Sequence, residues 1–324
     1  MKFRKFGKTG LKVSEIGFGA WAIGGSWAGQ QEDDSIAALH KALDLGVNFI
    51  DTAFGYGMGK SEQIIGKVLK ARKEKVIIAS KIPPDKEPWP PTPYCAARER
   101  YPENYIRKMT ELSLKNLGRD YIDIMQLHTW TRAWNRDPVP LEYLARMKEE
   151  GKVRFIGVST PEHDQNALID LMRSGIVDSV QVIYNIFEQE PAAEFLPTAL
   201  KCGTGVIVRM AFDEGVLTGK YKADHVFPKD DFRSRYFAGD RIARAVGRVE
   251  KIGQEISGSG YTVAEAALKF SMMHPAVSTV IAGMRNSSQA EMNIKASGLP
   301  DLPPELILKL RDHAWVRAFW YSGK

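Results

Sequence analysis

Cysteine is nearly absent from this 324-residue chain, which carries only Cys95 and Cys202. Two isolated thiols supply neither a disulfide framework nor metal-ligand spacing, so the expected setting is the reducing cytoplasm and no metal is expected. Long apolar runs are missing too. No stretch approaches the ~20 residues that span a bilayer, and Met1-Lys2-Phe3-Arg4-Lys5-Phe6 lacks the apolar core of a secretion signal, so no membrane is expected as a partner. Charge is close to balanced. The 45 Lys and Arg face 39 Asp and Glu, a formal +6, with no dense basic stripe. Nucleic acid is therefore not an expected partner. The small excess suits at most an anionic small ligand, such as a phosphate-bearing cofactor. A Gly-x-Gly-x-x-Gly turn is also lacking. Gly17, Gly19, Gly24 and Gly25 have the wrong spacing for one, which argues against an open doubly wound sheet.

What is present is a repeated alternation. Hydrophobic residues make up 44% of the chain, enough for a sizeable core. Residues 2–6 and 12–15 flank Gly7-Lys8-Thr9-Gly10, a hairpin signal. Short apolar runs then predict strands at 16–21, 47–50, 76–80, 121–127, 153–158, 178–183, 205–209 and 277–281. Helical patterns fill the gaps, at 32–45, 61–70, 102–117, 141–150, 166–173 and 192–201, with two more before the eighth strand. Ser61 is the expected N-cap of one helix, and Ser287 or Ser288 of the helix after the last strand. Eight strand–helix alternations with short connections predict a closed parallel (β/α)8 barrel, a TIM barrel, forming one domain over residues 1–324.

Four side chains stand at the ends of three consecutive predicted strands. Asp51 ends one, and Tyr56 follows it in the loop Asp51-Thr52-Ala53-Phe54-Gly55-Tyr56-Gly57. Lys81 and His128 end the next two. Singly, each has a plainer reading: a turn cap, a loop aromatic, a solvated strand end, a structural histidine. Jointly they occupy the C-terminal rim, where parallel barrels do chemistry. A phenol near an ammonium can serve as an acid, and an imidazole can orient an oxygen.

In this order and on these strands, Asp51, Tyr56, Lys81 and His128 resemble the catalytic tetrad of the aldo-keto reductase family, in particular its bacterial and potassium-channel-β-like branch. The resemblance runs from Phe18-Gly19 to Asn293. It implies an NADPH-dependent oxidoreductase that reduces aldehyde and ketone carbonyls to alcohols. Tyr56 would be the general acid, its pKa lowered by Lys81. Asp51 would hold Lys81, and His128 would orient the substrate oxygen. The hairpin would cross the N-terminal mouth of the barrel. Ser159 and Gln181 would hold the nicotinamide carboxamide, with Thr160 standing where the family usually has Asn. Phe212, Gly215, Leu217, Gly219 and Lys220 would belong to the loop around the pyrophosphate. Gly283, Arg285, Gln289 and Asn293 would follow the last strand. Arg285 would meet the ribose 2′-phosphate, and Gln289 and Asn293 the adenine. Arg209 stands where many members carry an aromatic, and its planar group is expected to stack on nicotinamide; the alternative is a pair with Asp213 or Glu214.

Trp21, Phe54, Trp89 and Trp130 are candidate walls of an aromatic substrate pocket, or else pack the loops. So are the insertions 83–100 and 129–138 and a tail with Trp315, Phe319, Trp320 and Tyr321. The Pro-rich residues 83–93 are a candidate lid. The expected partner is a small-molecule carbonyl, and the expected state a monomer or weak homo-oligomer. Two other readings stand beside this one. A cofactor-binding regulatory barrel resembles potassium-channel β subunits. A barrel isomerase or lyase would leave Arg285, Gln289 and Asn293 unexplained.

Overall fold

The computed structural model describes every residue except Ser26, Glu87, Pro90, Ala318, Phe319 and 321–324. The expected tail aromatics Phe319 and Tyr321 therefore lie outside the described residues. The chain opens with an antiparallel hairpin, β1 (Phe3–Lys5) and β2 (Lys12–Ser14). Eight parallel strands follow: β3 (Ile16–Gly19), β4 (Phe49–Asp51), β5 (Ile77–Ile82), β6 (Ile122–Leu127), β7 (Val153–Ser159), β8 (Ser179–Ile183), β9 (Gly205–Arg209) and β10 (Val277–Gly283). They pair in chain order and β10 closes on β3, giving the (β/α)8 barrel.

Around it run α1 (Glu32–Asp44), α2 (Lys60–Lys70), α3 (Ala97–Arg100), α4 (Glu103–Leu117), α5 (Val139–Glu149) and α6 (Ile169–Ser174). They continue with α7 (Phe195–Cys202), α8 (Arg233–Tyr236), α9 (Arg241–Glu255), α10 (Val263–Met272), α11 (Ser287–Lys295) and α12 (Pro304–Arg311). Helix α10 starts at a reciprocal cap. Thr262 Oγ accepts from the Glu265 N–H while the Glu265 carboxylate accepts from the Thr262 N–H. Among the described residues no helix is long and apolar enough to cross a membrane.

The hairpin closes the N-terminal mouth. The Lys8 N–H donates to the Gly203 carbonyl just before β9. Phe6 and Val13 join Phe49, Ala79, Ile124, Ile207 and Ile281 in one apolar plug, with the Phe6 and Phe49 rings 5.8 Å apart.

Two expected caps are corrected. Helix α2 begins after Gly59, in the left-handed region at φ 92°, while Ser61 Oγ donates to the Ala20 carbonyl and bonds Thr52 Oγ. Ser61 is thus a strut between strand ends. Helix α11 is capped by Asn286, whose side chain accepts from the Gln289 N–H, rather than by Ser287 or Ser288. An amide oxygen one residue earlier reaches the same orphan donor. Lys81 lies inside its strand and Ser159 is the last residue of its own, since the ladder extends past the apolar runs.

Candidate active site

Side chains two residues apart on a strand share a face and stand roughly 7 Å apart along it. Two residues beyond the plug, that inward face turns polar: Phe49 gives way to Asp51, Ala79 to Lys81, Ile124 to Gln126 and Ile207 to Arg209. Asp51, Lys81 and Gln126 are fully buried. A single layer of ionised and amide groups therefore lies inside the barrel, just below its C-terminal mouth.

The layer is closely hydrogen-bonded. The Lys81 ammonium forms an ion pair with Asp51 Oδ1 and donates to the Thr52 carbonyl at 2.9 Å and to Tyr56 Oη at 3.0 Å. An ammonium has three N–H groups, and all three are used. The other Asp51 oxygen accepts from Gln181 Nε2 at 2.7 Å and Gln126 Nε2 at 3.2 Å. A buried ion pair needs such extra donors to offset desolvation. Burial works against the Lys81 ammonium, but Asp51 and Tyr56 outweigh it and hold its pKa above the ordinary value.

Tyr56 reaches this layer from a tight loop. A Cβ on Gly24 would collide with the Tyr56 backbone, and one on Gly57 with the Gly24 carbonyl. The close approach of these two glycines sets the phenol over Lys81. The phenol is half-buried, and burial pushes its pKa above the ordinary value, with Lys81 drawing it back only in part. The expected lowering is thus corrected: loss of water costs the phenolate more than one ammonium, shared with Asp51, returns.

His128 directly follows β6. Its ring meets Tyr56 edge-to-face at 5.6 Å and Trp89 at 5.3 Å. Burial, Lys81 and Arg209 hold its pKa well below the ordinary value, so the ring is neutral near pH 7.

The cofactor candidates fall into two groups around this layer. Ser159 is buried at the end of β7, beside Gln181 on β8. Gln181, expected on a carboxamide, instead commits its NH2 to Asp51. The Arg209 guanidinium donates to the Thr160 carbonyl at 3.1 Å and lies 3.8 Å from Glu162. Of the alternative partners, Asp213 is held instead by Arg317 at 2.6 Å, and Glu214 feels the Arg209 charge while the ion pair of Arg209 is with Glu162. Beyond Arg209 the chain turns sharply. Met210, Asp213 and Glu214 adopt left-handed backbone, and Gly215 and Gly219 bracket a 3-10 turn over the buried Leu217. Phe212 is half-buried, and its carbonyl accepts from the Gly215 and Leu217 N–H groups.

Farther out, three cations converge. Partial desolvation and the charges of Arg233 and Arg285 press the Lys220 ammonium below its ordinary value, and desolvation with Arg233 does the same to Arg285. Arg233 stacks on Trp27 at 4.0 Å and pairs with Asp231. Arg285 is braced by Gln30 Oε1 at 2.7 Å and the Ala28 carbonyl at 2.8 Å. Gln289 Oε1 accepts from the Arg285 N–H, and Asn293 Nδ2 donates to the Gly283 carbonyl. Those two amides therefore brace the loop after β10.

Gln126 and Arg233 escaped the sequence reading. Gln126 had a signal, a lone amide in phase with inward-facing Ile124. Arg233, far along the loop after β9, had none.

The aromatic candidates divide. Trp21 lies 6.4 Å from Tyr56 and 5.2 Å from Phe232, at the mouth. Trp89 reaches His128 from the 83–100 insertion. Phe54 packs against the main core. Trp130 is corrected: it is fully buried, its indole N–H donates to Asn135 Oδ1 at 2.7 Å, and its ring meets Trp134. It packs the 129–138 insertion and reaches no surface. The described tail aromatics also pack. Trp320 is buried against Trp315 and Tyr236. Among the described residues no His, Cys, Asp and Glu group could hold a metal ion.

Comparison with known proteins agrees with this geometry. The model of the Aldo/keto reductase family matches residues 15–314. The aldo-keto reductase YhdN of Bacillus subtilis is 33% identical over 92% of this chain and 89% of its own length. A probable voltage-gated potassium channel subunit beta of Arabidopsis thaliana is 30% identical, covering 96% and 95%. The NADH-specific methylglyoxal reductase of Escherichia coli is 28% identical, covering 91% and 93%. The holo form of an aldo-keto reductase from Bacillus halodurans superposes with a TM-score of 0.76 at 27% identity, covering 97% of this chain and 96% of that one. This chain belongs to the aldo/keto reductase family.

Proposed function

We propose that this protein is an NADPH-dependent oxidoreductase that reduces aldehyde and ketone carbonyls to alcohols. One observation carries the reading: the hydrogen bond from Lys81 to Tyr56 Oη. Because the phenol oxygen accepts there, its own proton points away from the ammonium. A neutral phenol so placed can surrender that proton to a developing alkoxide. Lys81 remains one hydrogen bond from the phenolate left behind, and Asp51 keeps Lys81 charged. Neutral His128 donates from Nε2 to the carbonyl oxygen and orients it.

A reduced nicotinamide, when bound, supplies the hydride. The residues present fit such a cofactor. Lys220, Arg233 and Arg285 repel one another across a partly desolvated cluster, which an anionic phosphate would relieve. Gly215 and Gly219 let the turn bring backbone close to a pyrophosphate. Ser159 would hold the carboxamide, and Arg209, inward-facing by register, would lie flat on the nicotinamide. Preference for NADPH rests on Arg285. The NADH specificity of the Escherichia coli relative makes that preference the finer point to measure.

The test is Tyr56→Phe. Turnover of an aromatic aldehyde with NADPH should fall by roughly 10²–10⁴, with cofactor affinity nearly unchanged. A variant retaining more than about a tenth of wild-type single-turnover rate would remove Tyr56 from its role.

A further inference from the structure

A histidine that must donate through Nε2 is usually held by a hydrogen bond to its other ring nitrogen. Among the described residues, none gives His128 that support. Its Nδ1 is buried with no hydrogen-bond partner among the described residues, and it faces Gly55, where a Cβ would sit 3.8 Å away. What does contact the ring is aromatic. Tyr56 stands on it at 75° and Trp89 at 81°, both edge-to-face. Such pairs have a preferred geometry and contribute energy beyond area burial. Tyr56 belongs to the chemistry itself, so Trp89 is the remaining flank, and among the described residues its aromatic contact is with His128.

The segment that carries Trp89 is anchored. The Asp85 N–H donates to the Arg100 carbonyl at 2.8 Å. Arg100, itself 5% exposed, donates from Nη2 to the carbonyl of Pro88, the residue before Trp89, at 3.0 Å. Trp134 Nε1 donates to the Cys95 carbonyl at 2.7 Å. A buried guanidinium thus pins the backbone beside a tryptophan that stays 40% exposed. That exposure separates Trp89 from a core residue.

We infer that Trp89 is a positioning residue: it holds the His128 imidazole in the orientation that aims Nε2 at the substrate, in place of an Nδ1 hydrogen bond for which the described residues supply no partner. The inference rests on the role given above to His128. It assigns the 83–100 insertion a part in turnover besides any contact with substrate.

Two measurements test it. The first reads the ring directly. Wild type, Trp89→Ala and Trp89→Phe are labelled with ¹⁵N-histidine, and the His128 ring signals are assigned by their loss in His128→Gln. In Trp89→Ala those signals should shift or average between tautomers, while Trp89→Phe keeps them near wild type. Unchanged His128 signals in Trp89→Ala, with an intact thermal unfolding transition, overturn the proposal.

The second is kinetic, with 4-nitrobenzaldehyde and NADPH. Trp89→Ala should lower kcat on the order of tenfold, with the cofactor dissociation constant unchanged. Trp89→Phe should restore most of that loss. In a His128→Gln background, Trp89→Ala should cost nothing further, because the residue it acts through is gone. A rise in KM by the same factor in both backgrounds, with kcat unchanged, would make Trp89 a substrate wall only. If His128→Gln alone turns over like wild type, the role proposed for His128 fails, and the ring signals alone decide whether Trp89 positions it.

Discussion

Phe49 and Asp51 sit two residues apart on one strand and face the same barrel interior, yet one belongs to an apolar plug and the other to a buried ionic layer. At the N-terminal end, seven apolar side chains close the barrel with help from the hairpin. No ionisable group is among them. At the C-terminal end, the inward face of those strands holds Asp51, Lys81 and Gln126, with Gln181 of β8 bonded to Asp51, all buried. The lower end is held by packing, which is non-directional and tolerant of chemistry. The upper end is held by hydrogen bonds that fail if one partner is lost. An apolar plug and a buried ionic layer are thereby placed on opposite ends of the same strands.

This contrast can be broken from either side. The largest effect is expected for Lys81→Met. It leaves Asp51 buried without its cation, so stability should fall by roughly 3–5 kcal/mol, and turnover should collapse with the loss of the Tyr56 hydrogen bond. Thermal unfolding and single-turnover kinetics read the two losses. A stable variant would show that the amides of Gln126 and Gln181 suffice for Asp51.

At the lower end, Phe49→Ala should cost about 3–5 kcal/mol in urea unfolding. Its turnover per folded molecule should match wild type. A changed hydride-transfer rate would mean that the plug sets the geometry of the layer above it.

Farther up, Arg285→Ala should weaken NADPH binding by roughly 1.5–3 kcal/mol, a tenfold to hundredfold change, and leave NADH nearly unaffected. Equal losses for both cofactors would reduce Arg285 to a brace for Gln30 and Ala28.

The remaining effect concerns pH. The Glu214 carboxyl is pushed from 4.5 up to about 8 by burial and by Asp213, against the pull of Arg233 and Arg209. The folded protein keeps a proton there that the unfolded chain has released. Stability therefore falls through this group as pH rises from 4.5 toward about 8. Glu214→Gln should flatten that slope when urea midpoints are compared across the interval. Phe49→Ala, in a plug without titratable groups, should leave it as steep as in wild type. A slope that survives Glu214→Gln would place its origin elsewhere.

Much of this arrangement was legible in the chain. Alternating apolar runs marked eight strands, and polar residues at three of their ends marked the rim. The geometry indeed brings Asp51, Tyr56, Lys81 and His128 together. What escaped depended on contacts between distant segments. Gln181 meets Asp51 across 130 positions, and Arg317 meets Asp213 across 104. Local pattern says which face a side chain takes, and nothing about what waits opposite. Trp130 illustrates the same limit, since its identity as an aromatic did not reveal that Asn135 and Trp134 enclose it. The Tyr56 pKa is another case. The ammonium could be foreseen from Lys81, but the balance against burial could not.

By itself, the sequence determined the barrel and the inward phase of its polar residues, because strand period and apolar run length are local properties of the chain. Only the tertiary structure decided that Gln126 and Gln181 serve Asp51, that the Tyr56 phenol lies above its ordinary pKa, and that the Trp89 ring meets His128 edge-to-face. Each of those outcomes is set by solvent exclusion and by groups brought together from separate strands, which exist only once the barrel has closed.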